Sequence, residues 1–163
     1  MRIILEGLDA SGKSTLGAFL SKELDLPIRY AGGPPGNRDI VVERCIEQHQ
    51  YDDCIFDRVT SISERAYRID ISDDLYDELS TFTEMLISRG CLVVWCTGCG
   101  NHELKGHDTE EHVRHITENA DIIAKRYIKI FRDIPYFSFN FKFQKMEEVL
   151  EWLKQQRNMR STK

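Results

Sequence analysis

No stretch of this sequence approaches the roughly 18 consecutive apolar residues that a helix needs to cross a bilayer, so no membrane-spanning helix is expected. Nor is there a dominant basic block. Lys and Arg number 22 against 27 Asp and Glu, a net charge of −5, which argues against nucleic acid held stably by phosphate contacts alone. The five cysteines are an odd number, and Cys45, Cys54, Cys91, Cys96 and Cys99 fall mostly in or beside apolar stretches. Free thiols in a reducing compartment fit that pattern better than an extracellular disulfide framework. The sequence lacks a basic leader with a long apolar region and a small-residue cleavage site. It also lacks repeats, low-complexity tracts and a domain linker. These absences lead to the expectation of a cytoplasmic, single-domain protein over residues 1–163.

What is there is ordinary globular material: 163 residues, 41% hydrophobic and 30% charged. A domain of this length buries about 70% of its unfolded surface, enough for a core without disulfides or structural metal. Short apolar runs at residues 2–6 (RIILE), 27–31 (PIRYA), 54–56, 91–96 (CLVVWC) and 136–141 (YFSFNF) read as strands. Between them, residues 13–24, 40–50, 73–89, 110–132 and 146–157 carry helical spacing, with Ser72 and Asp73 as cap candidates, and 158–163 reads as a frayed tail. Alternation of strand and helix predicts an α/β fold of three layers, with about five parallel strands between helices. Ligands of such sheets bind at the carboxyl ends of the strands. Here those ends carry Glu6-Gly7, Ala31-Gly32, Asp57-Arg58 and Cys96-Thr97.

Residues 7–14, GLDASGKS, satisfy the G-x-x-x-x-G-K-[ST] pattern between a strand and a helix, followed by Thr15. Glycines let such a backbone wrap an anion with its N–H groups turned inward. Lys13 can reach β- and γ-phosphates, the Ser14 hydroxyl can ligate Mg²⁺, and the helix start adds partial positive charge. The expected ligand is ATP with Mg²⁺, bound by Ala10, Ser11, Gly12, Lys13, Ser14 and Thr15. A GTPase would carry a guanine-reading N-K-x-D and a separate D-x-x-G; neither is present, and a large motor ATPase is excluded by size. A small-molecule kinase remains.

With the loop LEGLDASGKST (5–15), Asp57-Arg58 and the turn RYAGGPPG (29–36) taken together, the chain resembles the thymidylate kinase family and related phage-type deoxynucleoside monophosphate kinases. The likeness covers about the first 70 residues, judged by motif order and context. It implies that Asp9 accepts from the acceptor sugar's 3′-hydroxyl and that Asp57 organises the magnesium and its waters. It also implies that Arg58 grips the acceptor phosphate, as a planar guanidinium can. Lys13, Asp57 and Arg58 are then the expected catalytic residues. Tyr30 is a candidate wall for the base, Arg38 a weaker acceptor-phosphate candidate, and Arg65 and Tyr67 base contacts if 59–69 is one helix. The resemblance and the apolar helices also suggest a homodimer.

The pattern departs from the family at the arginine that neutralises the moving phosphoryl group. The loop position is Ala10, and the lid-like segment 97–112 (TGCGNHELKGHDTEEH) has no arginine, leaving Lys105, Arg114 and Arg126 as candidates. Cys96-x-x-Cys99 with His102 and His107 is loosely spaced like a zinc knuckle, although a buried strand end with loop histidines explains it more simply. The run Tyr136, Phe137, Phe139, Phe141, Phe143 reads as core plus one sheet face. The expected activity is a deoxynucleoside monophosphate kinase. Alternatives are a P-loop kinase of a nucleoside or of a 5′-hydroxyl nucleic-acid end, and a degenerate nucleotide-binding regulatory protein.

Overall fold

β1 (Arg2–Gly7) is apolar enough to be covered on both faces and lies at the centre of a parallel sheet. The computed structural model describes residues 1–32, 37–98 and 110–161. Its sheet has five strands in the order β2 (Ile28–Tyr30), β3 (Cys54–Asp57), β1, β4 (Leu92–Cys96) and β5 (Tyr136–Phe139). All four pairings are parallel. The helices are α1 (Lys13–Leu24), α2 (Arg38–Gln50), α3 (Thr60–Tyr67), α4 (Asp73–Ser88), α5 (Glu110–Phe131) and α6 (Met146–Ser161). The expected three-layer α/β architecture is present.

Strand alternation assigns the two cores. Ile4, Phe56 and Val93 face one way, against Ile62 and Ala66 of α3, Leu86 of α4, and Ile123, Tyr127 and Phe131 of α5. Ile3, Leu5, Ile55 and Val94 face the other way, against Leu16 and Leu20 of α1 and Val149 and Leu153 of α6. The same alternation places the polar residues that follow. Glu6 lies on the Ile4 face, toward α3 and α5. Asp57 continues the Ile55 face toward α1, and Arg58 turns back toward α5.

Several boundaries differ from the sequence expectation for visible reasons. Asn37 caps α2 by accepting from the Ile40 amide at 3.0 Å, so the helix starts at Arg38. Ser72, one of two cap candidates, caps α4 by accepting from Leu75. Helix α3 begins only at Thr60 and stops at Tyr67. β5 ends at Phe139 because the Asn140 side chain accepts from the Lys142 amide and Gln144 takes the Asn140 amide, forming a turn. The expected tail is helical as far as Ser161. Phe139 is core, but Phe141 and Phe143, 42% and 84% exposed, belong to the turn after β5; the expectation of a continuous core-and-sheet run is corrected there.

Candidate active site

The carboxyl end of β1 turns into the phosphate loop under tight steric control. Gly7 has φ +142°, and a Cβ there would lie 2.2 Å from the Cys96 carbonyl oxygen, so only glycine fits. Gly12, at φ +85°, precedes α1, and Ala10 also has a positive φ of 56°. Lys13 is buried and folded back into the loop. Its Nζ donates to the carbonyls of Gly7 (3.0 Å) and Leu8 (2.6 Å) and to Ser11 Oγ (3.2 Å). Burial and, after it, the Arg58 charge lower its pKa to about 8. Ser14, the second residue of α1, donates to Asp57 Oδ2 at 3.2 Å. This joins the loop to the end of β3 through two hard oxygens, the donor type that magnesium takes.

Arg58 follows Asp57 with φ +72°, a left-handed conformation that costs a non-glycine residue roughly 1–2 kcal/mol. Its guanidinium has three partners. Nη2 donates to Asp9 Oδ1 (2.5 Å) and to the Tyr67 hydroxyl (3.0 Å), and Nη1 donates to the Tyr127 hydroxyl (3.2 Å). It also lies 4.8 Å from the Tyr67 ring centroid, a cation–π contact. Tyr127 in turn donates to Glu6 Oε2 at 2.9 Å, and Glu6 Oε1 accepts from the Val59 amide (2.7 Å) and Ser63 Oγ (3.2 Å). Burial raises the Glu6 carboxyl pKa, opposed by Arg58, the Val59 amide and Tyr127.

Asp9, Lys13, Ser14, Asp57, Arg58 and Tyr67, drawn from distant parts of the sequence, are thus linked through hydrogen bonds around one loop. Arg65 is not part of this group. It is 4% exposed and donates to the Ser61 carbonyl, Ser80 Oγ and Thr83 Oγ1, tying α3 to α4, so the structure does not bring this expected base contact to the loop. Arg38 pairs with Glu78 of α4 at 2.7 Å on the surface. Tyr30 is 70% exposed at the end of β2.

Among the candidate substitutes for the missing arginine, Arg126 donates to the carbonyls of Arg68 and Ile69 and secures the end of α3. Arg114 is exposed on α5. Lys105, Cys99, His102 and His107 lie outside the described residues, so the zinc-like spacing does too. Among the described residues no cluster of His, Cys, Asp and Glu is suited to a metal. Cys45, Cys54, Cys91 and Cys96 are buried and form no disulfide among the described residues.

Sequence reasoning named Glu6 only as a strand end and Phe141 only as core or sheet face, and it did not single out Tyr127. The Phe141 ring lies against both the phosphate loop and the segment after β4: Cβ atoms built on Gly12 and Gly98 would approach it to 3.2 and 2.4 Å. Glu6 carried a signal, an acid in phase with Ile4 at the end of an apolar strand. Tyr127 carried none.

No protein-family model matches the chain, and no curated protein is significantly similar in sequence. Solved structures do match in fold. The YorR protein of Bacillus subtilis, in complex with phosphorylated GDP, is 20% identical with a TM-score of 0.70, over 100% of this chain and 99% of that one. Thymidylate kinase from Ehrlichia chaffeensis is 17% identical with a TM-score of 0.58, over 94% and 97%. Deoxyadenosine kinase from M. mycoides with bound dCTP is 17% identical with a TM-score of 0.55, over 95% and 100%. The chain therefore has the fold of the P-loop kinases of nucleosides and nucleotides.

Proposed function

We propose that this chain is a deoxynucleoside monophosphate kinase similar to thymidylate kinase. It would transfer the γ-phosphoryl group of ATP to the 5′-phosphate of a dNMP, giving dNDP and ADP. The observation that carries the reading is the Asp9–Arg58 pair held against the phosphate loop, a carboxylate and a guanidinium beside the place where a triphosphate would lie. An acceptor phosphate oxygen attacks the γ-phosphorus as the bond from that phosphorus to the β-bridging oxygen breaks, and ADP carries the charge away. Arg58 aligns the acceptor phosphate, Asp9 accepts from the sugar hydroxyl, and Lys13 leaves the loop carbonyls for the β- and γ-phosphates. Ser14 and Asp57 would hold Mg²⁺, which would supply neutralisation of the negative charge of the triphosphate. Tyr67 and Tyr30 remain candidate contacts to the acceptor nucleoside, and Arg38 to its phosphate. No helix among the described residues is long and apolar enough to cross a membrane.

A second reading keeps the loop and changes the acceptor to a nucleoside or a 5′-hydroxyl end. It is favoured by the number of Arg58 donors already engaged within the protein. The test is ADP release from ATP and Mg²⁺ with a panel of dNMPs and nucleosides, for the protein and for Arg58→Ala. A monophosphate acceptor whose KM rises sharply in Arg58→Ala supports the first reading. Product from nucleosides alone, indifferent to Arg58, supports the second. No turnover with any acceptor would leave the regulatory nucleotide-binding reading.

A further inference from the structure

Glu6 is a fully buried carboxylate at the end of the central strand, and burying such a group is costly unless its oxygens are bonded. Its bonds converge on both sides of one residue. Oε1 accepts from the amide of Val59, immediately after Arg58, and Oε2 accepts from Tyr127, whose hydroxyl accepts from Arg58 Nη1. The Arg58 amide itself donates to the Leu5 carbonyl at 3.0 Å. The unfavourable left-handed backbone of Arg58 is therefore pinned before and after the residue, and its guanidinium is pinned from below. Tyr127 is 1% exposed, and its ring stacks on Phe131 and meets Tyr67 edge-on, so its hydroxyl is held in one place. Strain of this kind persists only where the surroundings over-determine it.

From these bonds we infer that Glu6 and Tyr127 are positioning residues for Arg58, and that they set the preference for an acceptor bearing a phosphate. Neither touches substrate. Glu6 orients Tyr127 and the Val59 amide, and together they hold the guanidinium where it meets the acceptor. The inference rests on the reading of Arg58 as the acceptor-phosphate ligand. The helix that carries Tyr127 also holds α3 through His115 on the Tyr67 carbonyl and Arg126 on the Arg68 and Ile69 carbonyls. α5 is thus the frame against which Arg58 is aimed.

The test compares Tyr127→Phe and Glu6→Gln, the second keeping the buried volume, with the unaltered protein and with Arg58→Lys. Loss of one buried partner should raise the acceptor KM about tenfold and leave the ATP KM within about twofold. Adding Tyr127→Phe to Arg58→Lys should then raise the acceptor KM little further. Equal rises in both KM values, or full additivity in the double variant, would overturn the inference as mere loss of stability. A readout without turnover separates this from the choice of acceptor: the ¹⁵N resonances of the Arg58 guanidinium. Distinct Nη signals in the unaltered protein that merge in both variants support positioning. Signals unchanged by the variants overturn it. Failure of the unaltered protein to phosphorylate any dNMP would instead contradict the proposed acceptor, with the resonance result still deciding the positioning.

Discussion

Arg58 donates to Asp9 at 2.5 Å, so a residue from the end of β3 closes over a residue inside the phosphate loop. The pair is partly shielded, with side chains 18% and 36% exposed. A charge-assisted contact in such a place orients both groups for a ligand more than it stabilises the fold. Asp9→Asn keeps the shape and removes the charge. It should lower kcat/KM for the acceptor about 10- to 100-fold and leave the ATP KM within about twofold, as measured by steady-state ADP release.

The contact between Ser14 and Asp57 predicts a metal phenotype. Ser14→Ala and Asp57→Asn should both shift the rate-against-magnesium curve to higher free Mg²⁺, Asp57→Asn more so because it removes charge. Titration of activity against Mg²⁺ at saturating ATP checks this. Curves that fall in height without shifting would place these residues elsewhere in the chemistry.

Lys13 predicts a pH signature. Its folded pKa of about 8 lies below the usual 10.5, chiefly through burial. Between those values the unfolded chain holds the extra proton, so this group makes the ligand-free protein more stable as pH rises from about 8 to 10. The gain is on the order of 2 kcal/mol. The thiols of Cys45 and Cys96, pushed up to about 12 by burial, act oppositely: their contribution is present below pH 9 and is lost as pH rises toward 12. Denaturant unfolding of the protein against Lys13→Met isolates the lysine. The difference in stability between them should move in favour of the unaltered protein across pH 8–10, and a constant difference would contradict the assignment.

Arg65 is predicted to matter for stability and not for the base. Arg65→Met removes the buried donors to the Ser61 carbonyl, Ser80 Oγ and Thr83 Oγ1, leaving the Thr83 hydroxyl bonded to Ser61 Oγ as the remaining side-chain tie there between α3 and α4. A loss of about 1–3 kcal/mol in unfolding free energy is expected, with KM values for ATP and acceptor unchanged at a temperature where the variant is folded. A selective change in base preference would restore Arg65 to the acceptor site.

The contrast between Arg65 and Asp57 shows what the sequence could reveal. Asp57 and Arg58 were legible because a short apolar run ends on them and the sheet must present strand ends to the ligand. Arg65 was grouped with Arg58 because helical spacing was counted onward from it. Arg58 lies outside the helix, at φ +72°, and α3 starts at Thr60, so the two residues share no helical face. Phe141 and Phe143 continue the alternation of β5 in sequence, yet the Asn140–Gln144 turn stops the strand before them. The bond from Tyr127 to Glu6 spans 121 residues and depends on how α5 packs, which local pattern does not encode. The layers and loop followed from periodicity and glycine placement; the buried network required the tertiary structure.

The most direct test of the central claim is ³¹P NMR of the purified protein incubated with ATP, Mg²⁺ and each natural or phage-modified dNMP. The account predicts a new nucleoside diphosphate β-phosphorus signal growing with ADP for at least one dNMP, and its absence with Lys13→Ala. Failure of every dNMP to give a diphosphate, under conditions where the protein binds ATP, would contradict it.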